Sequence, residues 1–149
     1  MKYLNELLSN RILIAAVVSW FTAQFIKIVI NLIEEKKFDF GLIMSSGGMP
    51  SSHSATVCAL CLMVMRTHSL SSTYFAISVI FAFIVMYDAA GVRRAAGEQA
   101  KVLNKIVDDL SKGKTEYMEK DLKELIGHTP FQVFVGALLG VLIGSVFPV

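Results

Sequence analysis

Charge is scarce in this chain. Of its 149 residues, 17% are Asp, Glu, Lys or Arg and 54% are hydrophobic, with a mean hydropathy of +0.60, which excludes an ordinary soluble domain. The composition implies a small integral membrane protein, and the length suits a single domain over residues 1–149. Strong charge of one sign is missing as well. The net charge is +2, with basic residues scattered among acids, so no nucleic-acid surface is expected. Cysteine is limited to Cys58 and Cys61, which share a helical face inside an apolar run. Their C-x-x-C spacing is compatible with redox or metal chemistry, but in that setting they read as small buried hydrophobes. There is no low-complexity tract and no long linker. No cleavable signal peptide is expected, because the segment after Asn10-Arg11 is too long for an h-region and lacks a small-residue cleavage site.

What the sequence does hold is apolar segments, at about 12–33, 51–66, 73–90 and 129–147. The expected fold is all-α: an integral membrane bundle of about four apolar helices, with an amphipathic helical region at about 91–127 between the third and fourth. The first segment is long enough to cross a hydrocarbon core of about 30 Å. The second is short and starts in a polar loop, so it either crosses or begins deep within the protein. The fourth carries Gly136, Gly140 and Gly144 at four-residue spacing, a smooth face for packing. In the amphipathic region Val92, Ala96, Leu103, Ile106 and Leu110 recur on one face, with Arg94, Glu98, Lys101 and Lys105 on another. Ser111-Lys112-Gly113-Lys114 breaks that helix, Thr115 caps a second short one, and Gly127 ends it.

If all four segments span, Lys36, Lys37 and the basic residues of 91–127 share one side, opposite Lys2, Arg11 and Arg66. Positive residues accumulate on the cytoplasmic side, so a multi-pass plasma-membrane protein with both termini outside is expected. Four short spans make a thin bundle, and a homodimer that buries more surface is one expectation.

The chemistry concentrates in Ser45-Ser46-Gly47-Gly48-Met49-Pro50-Ser51-Ser52-His53-Ser54. Its glycines free backbone amides to face a ligand, Pro50 fixes the approach, and Ser51 or Ser52 caps the next helix. Such a helix start attracts anions, and His53 stands where a proton can be exchanged with whatever is held. The plainer alternative is a serine-capped helix with an interfacial histidine. Gln24, Lys27 and Asn31 form a polar stripe on the first helix, where a charge is costly and points into a bundle. Lys27 has the alternative of snorkelling to the interface. Asp88 ends the third segment beside Arg93 and Arg94, which lie between two Ala-Ala-Gly triplets, and His128 opens the fourth. Cations and amides to hold phosphate oxygens, with two histidines as nucleophile and acid, make a set suited to phosphoryl transfer. No metal or cofactor is required, since the cations neutralise charge. A metal site from His53, His128 and Asp88 has suitable ligand types but no recognisable spacing.

Pro50-Ser51-Ser52-His53 resembles the Pro-Ser-Gly-His signature of the type 2 phosphatidic acid phosphatase superfamily. His128-Thr129-Pro130-Phe131-Gln132-Val133-Phe134-Val135-Gly136 resembles its His-x-x-x-Asp-Val-x-x-Gly signature. With Gly47 to Ser54 and Asp88 to Gly97, the chain looks like the divergent bacterial and plant branch related to acid phosphatases and vanadium haloperoxidases. The resemblance implies His128 as nucleophile, His53 as general acid, and Lys27, Ser51 and Ser52 as phosphate binders, beside Gly48 of the loop. The departures are specific. Ser52 replaces the family glycine, Leu122 stands in place of the arginine before His128, and no Arg-Pro follows Lys27. Gln132 occupies the place of the aspartate that orients the nucleophilic histidine, where an amide fixes a tautomer but stabilises an imidazolium less well. Arg93 and Arg94 are candidates to replace the missing arginines, and Asp88 either orients His128 or pairs with an arginine.

Two functions follow as expectations. One is a metal-independent membrane phosphatase that hydrolyses a lipid phosphate or polyprenyl diphosphate through a phosphohistidine, with its active site facing the cytoplasm. The other is a non-catalytic lipid-phosphate-binding, transport or assembly protein that keeps the anion site.

Overall fold

Short polar side chains set where each long helix begins. The computed structural model describes residues 1–36, 48–111 and 127–149. In it α1 covers Lys2–Leu8, α2 Arg11–Glu35, α3 Ser52–Thr67, α4 Thr73–Ala90, α5 Val92–Ser111 and α6 Pro130–Val146. Asn10 accepts from the Leu13 amide at 3.1 Å to start α2, and Ser51 accepts from the Ser54 amide at 3.4 Å to start α3. Ser72 accepts from the Phe75 amide at 3.2 Å and Thr129 from the Gln132 amide at 3.3 Å, opening α4 and α6. Each such cap contributes about 1 kcal/mol. No strand occurs among the described residues, as the all-α expectation requires. Arg11–Glu34 and the stretch that starts at Thr73 are long and apolar enough to cross a membrane, and α6 is a shorter apolar helix. The short α1 is an element the sequence reading did not foresee.

The inner helix is α3, packed against α2, α4 and α6. It can hold three neighbours because its contact residues are small: Ser52, Ser54, Ala55 and Ala59 are all buried. Its first turn therefore lies within the protein, with Ser51 at 0% and Ser52 at 2% exposure. Large apolar residues point outward instead, among them Phe21, Phe25, Ile80, Phe83 and Phe134. Small residues inside and large ones outside is the arrangement expected where lipid, not water, is the solvent.

Helix directions follow from who meets whom. Gly136 lies against Ser51, Gly140 against Ala55 and Gly144 against Ala59, so α3 and α6 run parallel in a four-residue register. A Cβ on Gly136 would collide with the Ser51 carbonyl, and one on Gly140 with the Ala55 carbonyl. Helix α2 runs the other way, since its Ser19 donates to the Ala55 carbonyl at 2.9 Å while Lys27, two turns later, meets Ser52. Helix α4 is also antiparallel to α3: Met86 meets Cys58 at 3.8 Å between sulfurs, and Ala89 lies at His128. The ends of α2 and α4 thus gather with the starts of α3 and α6. At the opposite end, Arg66 Nη1 donates to the Gly144 and Phe147 carbonyls at 2.6 and 2.7 Å, satisfying orphan acceptors at the end of α6.

Cys58 and Cys61 are free thiols, half-buried on α3. Helix α5 is amphipathic as expected, with Val92, Val102, Leu103 and Ile106 exposed. Its Glu98–Lys101 pair at 3.4 Å is exposed and contributes little. The expected break after Ser111, the Thr115 cap and Leu122 lie outside the described residues, as do Lys37 and Ser45 to Gly47.

Candidate active site

His128 is tied down at both its backbone and its ring. Its backbone N–H donates to the Ala89 carbonyl at 3.1 Å, which fixes it to the end of α4. Thr129 and Gln132 form a reciprocal capping box around Pro130: the Gln132 amide donates to Thr129 Oγ1, and the Thr129 N–H donates to Gln132 Oε1 at 3.0 Å. That same Oε1 lies 3.4 Å from His128 Nδ1. An amide oxygen only accepts, so this network puts the ring proton on Nδ1 and the lone pair on Nε2. His128 is 0% exposed, and its Nε2 has no hydrogen-bond partner among the described residues. The Gln132 carbonyl in turn accepts from the Ser51 amide at 3.1 Å, which joins the start of α6 to the start of α3.

Across this corner stands His53, half-buried in the first turn of α3, with its ring centroid 6.0 Å from that of His128 and the planes at 64°. Lys27 comes from α2. At 4% exposure it does not snorkel, and its Nζ donates to Ser52 Oγ at 3.5 Å. Gly48 adopts φ +84°, a left-handed turn suited to glycine, and lies against the Lys27 stem. Burial first, and then the Lys27 ammonium, push the His128 imidazole down from 6.5 to about 4, with Gln132 and the Gly48 backbone pulling the other way. The fold therefore holds a neutral imidazole beside a buried cation.

The structure brings together His53, His128, Gln132, Lys27, Ser52 and Gly48. Ser51 is adjacent, but its hydroxyl serves the cap: it accepts from Ser54 Oγ at 3.1 Å and from the Ser54 amide. The side chain that faces His128 Nδ1 is Gln132, so the alternative of Asp88 in that position does not hold. Asp88 is half-buried near the end of α4, next to the Ala89 that anchors His128. Arg94 is exposed on α5. The Arg93 side chain lies outside what the structure describes. Among the described residues no three His, Cys, Asp or Glu side chains gather as a metal-ligand group, so His53, His128 and Asp88 form no such cluster. Beside the corner is a cavity of about 310 Å³, lined in part by Lys27, Asn31, Glu34, Met49 and Gln132. Sequence reasoning passed over Glu34, and over Thr129 as the residue that steadies Gln132. The Thr-x-x-Gln pattern before an apolar run is a readable capping-box signal.

A helical membrane protein with two imidazoles and a lysine converging at shared helix ends is the class these features define. The chain belongs to the divergent PAP2 family, whose model matches residues 8–143. It is similar to YuiD, an uncharacterized membrane protein of Bacillus subtilis (strain 168), at 47% identity over 148 residues covering 93% of this chain and 94% of the relative. No solved structure matches the chain significantly.

Proposed function

We propose that this protein is a metal-independent membrane phosphatase acting on a lipid phosphate or polyprenyl diphosphate through a phosphohistidine. The observation that carries the reading is the buried His128 imidazole, whose Nε2 has no hydrogen-bond partner among the described residues, 6.0 Å between ring centroids from His53 and under the influence of the Lys27 charge. In the first step Nε2 attacks phosphorus, the bond from phosphorus to the leaving oxygen breaks, and His53 gives that oxygen a proton. Lys27 holds the non-bridging oxygens, and Ser52, its partner, keeps it aimed. In the second step water attacks the phosphohistidine, His53 takes its proton, and phosphate leaves with His128 neutral again.

Membership of the divergent PAP2 family supports this reading without naming a substrate. The test is phosphate release from lipid phosphates by the purified protein in detergent, with a chelator present. Release that vanishes in His128→Ala and His53→Ala and is blocked by vanadate is the expected result. Vanadate-sensitive binding without release would instead support a non-catalytic lipid-phosphate-binding, transport or assembly role. One observation favours that second reading: the group at Nδ1 is the Gln132 amide, which cannot neutralise a developing imidazolium.

The active-site end is proposed to face the cytoplasm of the plasma membrane, on the count of basic residues around it. A cysteine placed at Lys112 should then resist impermeant thiol reagents in intact cells. Labelling there would reverse the orientation.

A further inference from the structure

We infer that α5 is an interfacial helix, lying in the surface of the membrane that α4 crosses, with its apolar face sunk among the lipid head groups. A helix that packs on a protein in water turns its apolar side inward. In α5 the sides are reversed. The side turned to the protein is marked by Gly97, which is buried, and by Lys101 and Asn104, which are half-buried. The side turned away holds Val92, Ala95, Ala96, Val102, Leu103 and Ile106, all exposed and recurring at three- and four-residue steps. Among the described helices α5 packs on α4, to which it is joined, and this apolar face stays uncovered. A third sector, with Arg94, Glu98 and Lys105 exposed, is left for water. Protein, lipid and water each on one side is the environment of a helix at a bilayer surface.

Position along the chain gives the depth. Helix α4 has 18 residues, about 27 Å at 1.5 Å each, which nearly matches a hydrocarbon core of about 30 Å. Tyr87, 78% exposed and one turn before the end of α4, suits the head-group level where exposed tyrosines collect. Gly91 alone separates α4 from α5, so α5 starts at that level. Its charged sector bars it from continuing through the core, and lying flat is what lets its apolar face reach lipid. Over residues 92–107 the sequence sets Arg93, Arg94, Lys101 and Lys105 against Glu98, a basic excess that suits anionic head groups. The join to α4 holds the helix at the surface at high effective concentration, so short aliphatic side chains suffice. The same join bears on the imidazole corner. Ala89, which accepts from the His128 N–H, lies just before it, so a docked α5 keeps the corner at the depth of lipid phosphates.

The test uses the full chain in nanodiscs of phosphatidylglycerol and phosphatidylcholine, with Cys58 and Cys61 replaced by alanine. One nitroxide at a time is attached through Arg94→Cys, Val102→Cys, Lys105→Cys or Ile106→Cys, with Phe83→Cys on α4 as the reference for the core. Collision with oxygen reports lipid, and collision with a water-soluble nickel chelate reports water. Labels at 102 and 106 should favour oxygen at a depth of about 5–10 Å, shallower than the label at 83, while those at 94 and 105 should favour nickel. Nickel preference at 102 and 106 overturns the inference. So does a label there that neither probe reaches, because protein, such as a second copy, then covers the face. Oxygen preference at all four α5 positions overturns it too, since α5 would then be immersed in the core. Leu103→Trp with Trp20→Phe gives an independent measurement. Its fluorescence should be quenched more by lipids brominated near the head group than by those brominated near the chain end, and the reverse order or no quenching overturns the inference. Neither measurement involves phosphate release, so the outcome stands apart from the phosphatase reading.

Discussion

Gln132 Oε1 serves His128 Nδ1 at 3.4 Å and the Thr129 amide at 3.0 Å at once, so one side chain both caps α6 and sets the tautomer of a buried imidazole. Replacing it with glutamate keeps the capping box, since Glu suits that position, and adds a charge that stabilises an imidazolium. Gln132→Glu is expected to raise kcat by at least about tenfold, a modest fraction of what an amide-for-carboxylate exchange costs a serine-protease triad. Gln132→Ala should lose both functions, with about 1 kcal/mol of cap stability gone. Steady-state kinetics and thermal denaturation in detergent separate the two effects.

Acid should weaken the fold through His128. Its folded pKa of about 4 lies below its ordinary 6.5, so the unfolded chain binds the proton more readily. The stability tied to the neutral ring is complete above 6.5 and drains away as pH falls towards about 4. The melting temperature should therefore drop over that window in the wild type and drop less in His128→Gln. For kcat/KM, the acid limb that reports loss of the neutral nucleophile should lie nearer 4 than 6.5.

Lys27 is a cation for binding at some cost to folding. Lys27→Met should weaken vanadate binding by about 100-fold, in line with the loss of one member of a buried charge pair. The melting temperature should stay level or rise, because the desolvation penalty of a buried ammonium is removed. A large loss of stability would mean that the ammonium is a structural tie instead.

Alanine at the seam between α3 and α6 should be costly in a graded way. Gly140→Ala meets the Ala55 carbonyl and should lose about 1–3 kcal/mol. Gly136→Ala meets the Ser51 carbonyl beside the first turn of α3, so activity should fall along with stability. Gly144→Ala finds its nearest neighbours at 3.1 Å and should be mildest. Melting temperatures ranked in this order support the parallel register, and equal effects would count against it.

Much of this was legible beforehand, for reasons that differ by element. The segments expected at 12–33, 73–90 and 129–147 correspond to Arg11–Glu35, Thr73–Ala90 and Pro130–Val146 because long apolar runs with polar caps leave little choice of boundary. The glycine face of α6 was visible, but not that Ser51, Ala55 and Ala59 on α3 would receive it, since small residues also occur where nothing packs. Arg66 entered only as a charge count, and its bonds to the Gly144 and Phe147 carbonyls depend on α3 and α6 being parallel, which no local pattern states. At the site, the two histidines and Lys27 stood out because each is expensive in an apolar setting. The backbone bond from His128 to Ala89 did not, because a carbonyl at the end of a helix looks the same whatever residue bears it.

The two imidazoles sit at the heads of parallel helices whose seam is backbone laid on backbone. Such a seam has no rotamers to reshuffle, so it works as a rigid ruler between the rings. Residues on the lipid-facing rim, such as Phe25 and Phe83, can drift in size and shape without altering that measure. A single added methyl at the seam cannot.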